Sequence, residues 1–343
     1  MKHLLNTLYV TSQGSYLARD GETVLVRQDG ETKVHIPIHT LSSIICFGQV
    51  ACSPPLLGLC GARNVSVAFL TEQGKFLARV HGPVSGNVLL RREQYRRADD
   101  KEQAAEIARS VVVAKIANSR TALLRMAREH SEQNSKEKLR ATASTLSESL
   151  RLLGNPLPLD TVRGIEGDAA RQYFSVFDHL IVAQKDIFFF KERSRRPPMD
   201  PMNALLSFLY TLLVHDISSA LEGVGLDPAV GFLHRDRPGR PSLALDLMEE
   251  FRPMLADRVA LTLVNRQQVQ GKHFAIMETG AVSMDETAKK EILMTWQKKK
   301  QDEILHPFIG EKILIGLLPH IQAMLLARFL RGDLDAYPPF RWR

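Results

Sequence analysis

Two short stretches of the chain carry side chains suited to holding a divalent cation against a phosphate. In Val162-Arg-Gly-Ile-Glu-Gly-Asp-Ala-Ala-Arg171, Glu166 stands between two glycines and is followed by Ala169 and Ala170. Such small neighbours let a substrate or another backbone approach a carboxylate closely. In the second stretch, Gly231-Phe-Leu-His234 leads into an Arg/Pro/Gly-rich loop ending at Arg240. Ser242-Leu-Ala-Leu-Asp246-Leu-Met-Glu249-Glu250-Phe251 follows. His234 sits at a loop edge, and Asp246 lies early in a helix whose Glu249 and Glu250 share its face at i+3 and i+4. One imidazole with several carboxylates is an oxygen-rich, hard donor set, better suited to Mn2+ or Mg2+ than to structural zinc. Each residue also has a plainer reading. Glu166 and Asp246 can complement a helix start, His234 can be a satisfied structural histidine, and Glu249 and Glu250 can be solvated charges. Spacing does not say which of the glutamates points inward. Pro253 is expected to break or bend the helix one turn later.

Basic side chains come in groups: Arg91, Arg92, Arg96 and Arg97; Arg193, Arg195 and Arg196; Arg235, Arg237 and Arg240; Lys298, Lys299 and Lys300. Any one group reads most simply as a solvated face. Arg235, Arg237 and Arg240 differ in position, because they fall between His234 and the carboxylates, where guanidinium groups would meet the phosphates of a bound polyanion. The formal net charge of +7 favours such a partner, or an anionic membrane surface, without choosing between them.

The elements that must position these residues fall into two kinds. With 343 residues the chain exceeds what one core comfortably fills, since single cores stop growing near ~250–300 residues. Up to about Gly82 it shows short β-like runs: Leu4 to Val10, Thr23 to Arg27, Lys33 to Ile38, Ser43 to Phe47, Val65 to Leu70 and Lys75 to Val80. Asp20-Gly21 and Asp29-Gly30 punctuate them as hairpin turns. One helix interrupts, capped by Ser53, opened by Pro54 and Pro55 and stopped at Gly61. Breakers cluster from Gly82 to Asn87, and beyond Asp99 the apolar period changes to about 3.6, with Ala104, Ile107, Ala108, Val111, Ile116 and Leu123 outlining a long helix. The fold class read from this is α+β: a small β-rich domain over residues 1–90, then a larger, mostly α-helical catalytic domain over 91–343. Arg193 to Pro198 reads as an ordered loop or linker. Cys46, Cys52 and Cys60 match no zinc spacing and are expected as buried thiols in a reducing cytoplasm. No membrane span is expected, because Ala204 to Val214 is too short and Ile313 to Leu330 is broken by Pro319, His320, Gln322 and Arg328.

Taken in order, Gly82-Pro-Val-Ser-Gly-Asn-Val-Leu-Leu-Arg91, Gly164-Ile-Glu-Gly-Asp-Ala-Ala170, Asp200-Pro-Met-Asn-Ala-Leu-Leu-Ser-Phe-Leu-Tyr210, Gly231-Phe-Leu-His234 and Asp246-Leu-Met-Glu-Glu-Phe-Arg-Pro253 resemble a known family over nearly the whole chain. It is that of the CRISPR-associated adaptation integrases, the "Cas one" endonucleases, and the likeness is greatest to the type I-C branch. The resemblance implies a metal triad of Glu166, His234 and Glu249, with Asp246 as an auxiliary group or additional ligand, and Mg2+ or Mn2+ as cofactor. It also implies a homodimer built through the β-rich domain, assembly with the small "Cas two" protein, and insertion of short foreign DNA segments into a CRISPR array. A two-fold dimer suits a fragment with two ends, since it presents the same site twice. Two other readings share the residues: a repair nuclease using water as nucleophile, and a non-catalytic DNA-binding scaffold whose carboxylates only cap helices.

Overall fold

The computed structural model describes residues 6–80, 82, 88–195 and 197–342. Leu4, Leu5, the junction residues 83–87 and Arg196 lie outside the described residues. The chain divides into two compact units, Met1–Ser85 and Gly86–Arg343.

The first unit is built from β1 (Asn6–Val10), β2 (Tyr16–Asp20), β3 (Thr23–Gln28), β4 (Glu31–Pro37), β5 (Leu41–Phe47), β6 (Ala51–Cys52), helix α1 (Pro54–Ala62), β7 (Ser66–Leu70) and β8 (Phe76–Val80). One sheet runs β1-β5-β7-β8, with the first three strands parallel and β8 antiparallel; the other runs β4-β3-β2-β6. The parallel β5–β7 step is a crossover through α1, which Ser53 starts by accepting from Leu56 N. Alternate side chains such as Leu17, Val24, Ile44, Val67, Leu56 and Cys60 close the core. Strand β2 is absent from the expected runs, because YLARD is too polar to stand out; the Asp20-Gly21 turn is what pairs it with β3. Cys46 and Cys60 are buried as expected, but Cys52 is only half-buried, at the end of the two-residue strand β6.

The second unit opens with α2 (Val88–Asp99) and the 29-residue α3 (Lys101–Glu129), the latter capped by Asp100, which accepts from Glu102 N and Gln103 N at 2.9 and 3.1 Å. Helices α4 (Gln133–Leu152) and α5 (Leu159–Ser175) pack on α3. Central α6 (Pro201–Val224) begins at the Asp200 cap and ends at Gly225, whose φ of 90° is the left-handed stop. Next come α7 (Ser242–Met248), a π-helical turn at Arg252–Ala256, α8 (Asp257–Asn265), the hairpin β9 (Phe274–Ile276) and β10 (Val282–Met284), α9 (Glu286–Lys300), the hairpin β11 (Glu303–Leu305) and β12 (Lys312–Leu314), and α10 (Leu318–Leu330). Neither small hairpin is expected from the sequence. By length and composition alone α6 is apolar enough to cross a membrane, but 72% of its most apolar window is buried inside the protein.

Two local expectations change. Glu166 is not at a helix start but in the middle of α5, which runs through Gly164 and Gly167 unbroken. Pro253 does not end the path either. The wider turn absorbs its ring, and Asp257 N donates to Arg252 O five residues back, so the chain continues into α8.

Candidate active site

Residues from α3, α5, the Gly231–His234 loop and the end of α7 meet at a solvent-open cleft of about 480 Å³. Glu166, His234 and Glu249 all line it. Cβ positions at Gly164 and Gly167 would meet nothing, so the α5 surface beside Glu166 is open, as small residues next to a reacting group allow.

His234 is oriented by Asp246. Asp246 Oδ2 accepts from Phe232 N and Leu233 N at 2.6 and 2.9 Å, and Oδ1 accepts from His234 N at 2.9 Å and faces His234 Nδ1 at 2.6 Å. A carboxylate only accepts, so Nδ1 carries the proton; in the neutral ring this leaves the lone pair on Nε2, the tautomer a metal ligand needs. Gly231 is required here, since a Cβ would stand 2.7 Å from Asp246 Oδ2 and 2.8 Å from the Ser242 carbonyl carbon. Arg163 Nε donates to Leu233 O at 2.7 Å and ties the loop to α5.

Glu249 and Glu250, adjacent in sequence, face different surroundings. Glu249, 2% exposed, binds Arg252 Nη1 through Oε1 at 2.9 Å. Its Oε2 meets Lys115 Nζ at 2.8 Å as an ion pair but accepts no well-directed hydrogen bond. Lys115 Nζ also pairs with Glu166 Oε1, so one ammonium sits between two carboxylates from different elements. Burial works against ionisation of Glu249, but Arg252, Lys115 and His234 outweigh it and hold the carboxyl at about 2.

Glu250 instead anchors the C-terminal residues. Its Oε1 accepts from Tyr337 Oη at 2.6 Å, and Oε2 from Phe340 N at 2.7 Å and Gln322 Nε2 at 3.0 Å. Burial pushes its carboxyl up to about 8, against the pull of these donors. Asn118 on α3 completes the strap, donating to Glu250 O and Phe340 O at 2.7 and 3.0 Å and accepting from Trp342 N at 2.7 Å. The Trp342 ring lies against the guanidinium groups of Arg125 and Arg258, 3.8 and 5.1 Å from its centre. Beneath the cleft, Asp257 accepts from Tyr210 Oη at 2.6 Å and Tyr173 Oη at 3.1 Å, and burial raises it to about 6.

Among the basic residues singled out, Arg193 and Arg195 line the cleft. Arg193 is half-buried and tied to α6, donating to Asn203 Oδ1 at 2.6 Å and Ser207 Oγ at 3.1 Å, whereas Arg195 is exposed. Arg235 is exposed 3.5 Å from Asp160, Arg237 is exposed and Arg240 half-buried. Sequence reasoning misses Lys115, Lys191, Arg171 and Arg252, which line the same cleft. For Lys115 a signal exists: with Val111 and Val112 four and three residues before it, the helical period puts a cation on the apolar face of α3. Among the described residues, no group of three or more His, Cys, Asp or Glu side chains is drawn together closely enough to hold a metal ion.

The profile of the family described as "CRISPR associated protein Cas1" matches residues 8–298. The chain is 56% identical over 343 residues, 100% of both chains, to CRISPR-associated endonuclease Cas1 1 of Chlorobaculum tepidum. Among solved structures, a casposase bound to integration product matches with a TM-score of 0.84 at 22% identity, covering 99% of this chain and 95% of that one. A Cas6-RT-Cas1–Cas2 complex matches at 0.82 and 21% identity, covering 100% of this chain and 36% of that one. At such identities the solved structures speak for the fold, and they share its β-rich part followed by a larger helical part. A family profile spanning most of the sequence, and a relative more than half identical from end to end, establish that this chain belongs to the Cas1 family.

Proposed function

We propose that the chain is a metal-dependent DNA endonuclease and integrase of the type I-C branch, which inserts short foreign DNA segments as spacers into a CRISPR array. The observation that carries this reading is the convergence of Glu166, His234 and Glu249 on one cleft walled by cations. The likeness to an endonuclease of Chlorobaculum tepidum supports nuclease chemistry, and joining rests on the resemblance of the sequence motifs to the adaptation integrases. The branch rests on the order and combination of the five sequence motifs.

Glu166, His234 and Glu249 would hold Mg2+ or Mn2+. The donor chemistry fits: two carboxylates, an imidazole with a free Nε2, and a buried Glu249 Oε2 with no directed hydrogen bond. A bound divalent ion would withdraw charge from the scissile phosphate and ease deprotonation of the attacking 3′-hydroxyl. Asp246, with both oxygens engaged, acts by fixing His234 rather than as a ligand. Arg193, Arg195 and Arg252 would orient the phosphate, while Arg235, Arg237, Arg240 and Arg196 would track the DNA backbone without reading its sequence.

A second copy would pair through residues 1–90, where β8 leaves Phe76 and Leu77 exposed and β4 leaves Val34 exposed. A small Cas2 protein is the further partner; the matched Cas6-RT-Cas1–Cas2 complex contains one. A chromosomal substrate places the work in the cytoplasm.

The test supplies duplex DNA with a free 3′-end, target DNA, Mn2+ and the small partner, and separates joined from shortened product. Joining that is lost in Glu166→Ala, His234→Ala and Glu249→Ala, with duplex binding retained, is expected. Shortened product alone would replace integration with hydrolysis, and full activity in His234→Ala would remove the triad. Light scattering should give a dimer for the full chain and lose it for a chain beginning near residue 90.

A further inference from the structure

We infer that Lys115 is an internal counter-ion of the proposed metal site, one that a divalent cation must displace, so that this lysine sets the metal affinity. The inference rests on the metal-site reading above and concerns how that site is filled.

Lys115 is 8% exposed, and its ammonium pairs with Glu166 Oε1 and with Glu249 Oε2 at 2.8 Å. Those carboxylates belong to α5 and to the end of α7, so without a cation between them two negative groups would face each other in a part-buried cleft. A divalent ion held by Glu166 and Glu249 would need the oxygens the ammonium now uses. Two cations cannot share them at contact distance without strong repulsion.

The other cation on Glu249 is built differently. Arg252 binds Oε1, the oxygen Lys115 does not use, and its guanidinium lies 4.7 Å from the centre of the Tyr210 ring. It is held from two sides. Lys115 reaches its partners on a flexible four-carbon stem from α3, and it lines the open cleft, so the ammonium has room to leave. Arg252 is therefore the fixed charge and Lys115 the exchangeable one. Once displaced, the ammonium stays in the cleft as one more positive group where a phosphate would lie.

The experiment titrates the full chain with MnCl2, reading binding heat and melting temperature with no DNA present. Lys115→Met and Lys115→Gln are expected to bind Mn2+ about tenfold or more tightly than wild type, because nothing is displaced. They should melt lower than wild type without Mn2+ and gain more on its addition. A purely structural lysine would lower melting in both conditions and leave affinity unchanged. Lys115→Arg keeps the charge and should bind no more tightly than wild type. Lys115→Gln retains a donor for one carboxylate and carries the comparison if Lys115→Met does not fold. Neutral variants that bind Mn2+ as weakly as wild type, or more weakly, overturn the inference and leave the metal site standing, provided Glu166→Gln still abolishes binding. Absence of binding in wild type and both neutral variants overturns the site and the inference together.

Discussion

The two units bury different chemistry. Among the described residues, the β-rich unit hides only hydroxyls as polar side chains, those of Thr7, Ser15, Ser43 and Ser53. Its ion pairs, such as Arg63 with Glu22 and Lys33 with Glu31, lie on exposed side chains. Even a thiol is held neutral there, since burial pushes Cys60 up to about 11. The helical unit instead buries ionisable side chains, among them Lys115, Glu249, Asp246 and Asp257 at or beside the cleft, Glu250 against the C-terminal residues, and Lys289 and Lys300 on α9. Burying an ion costs several kcal/mol that an apolar core would not incur. The first unit holds together on an apolar core; the second adds buried ionisable groups, some of which face the cleft.

The contrast is tested most sharply by Glu249→Ala. It leaves Lys115 and Arg252 short of a buried partner, so stability should fall by about 3–5 kcal/mol in urea denaturation, and DNA joining by more than ~100-fold. Joining within tenfold of wild type would break the link between buried charge and chemistry. The matching cut in the other unit is Ile44→Ala on β5, where the side chain is fully buried. It should cost about 2–5 kcal/mol of stability through the cavity it opens, yet leave Mn2+ affinity unchanged. A shift in that affinity would mean that the two units do not divide their work.

A third prediction concerns pH. The folded-state carboxyl of Glu250 lies at about 8, above its ordinary value of 4.5, because burial favours the neutral form. That contribution to stability is complete below the ordinary value and is lost as pH rises through about 8. Glu250→Gln does not titrate, so the melting-temperature difference, variant minus wild type, should move in the variant's favour between about pH 5 and about pH 9. A difference independent of pH would remove Glu250 as the titrating group. The smallest effect is expected at Arg235→Ala, on the exposed surface. Stability should stay within ~0.5 kcal/mol, while affinity for unrelated duplexes falls evenly and the salt slope drops by about one.

Much of the architecture is readable because it rests on local rules. Asp29 and Gly30, at φ 53° and 81°, form the turn their types predict, and Ser53 caps α1 as its position before two prolines suggests. The change of period beyond Asp99 marks α3. What fails to show is set from outside the segment. Strand β2 exists because β3 and β6 pair with it, and the hairpins β9–β10 and β11–β12 are three residues a side, too short for a period. In the site, sequence names Glu166, His234, Asp246 and Glu249 but does not separate Glu249 from Glu250, since both follow Asp246 on one helical face. Tyr337 and Phe340 separate them by claiming Glu250. Lys115 is visible as a misplaced charge, but its carboxylate partners lie on other elements.

The strap over Glu250 also fixes an order in time. Phe340 lies 90 residues beyond Glu250 and 222 beyond Asn118 in the chain. At ~5–20 residues per second of synthesis, Glu250 is made roughly 5–20 s before the donors that satisfy it, and Asn118 roughly 10–45 s before. Through that interval Glu250 is without the donors that hold it in the folded protein. A ribosome-bound chain can form α3, α5 and α7 before the strap exists, so an interrupted translation product should carry Glu166, His234 and Glu249 and yet lack the contacts that anchor Glu250.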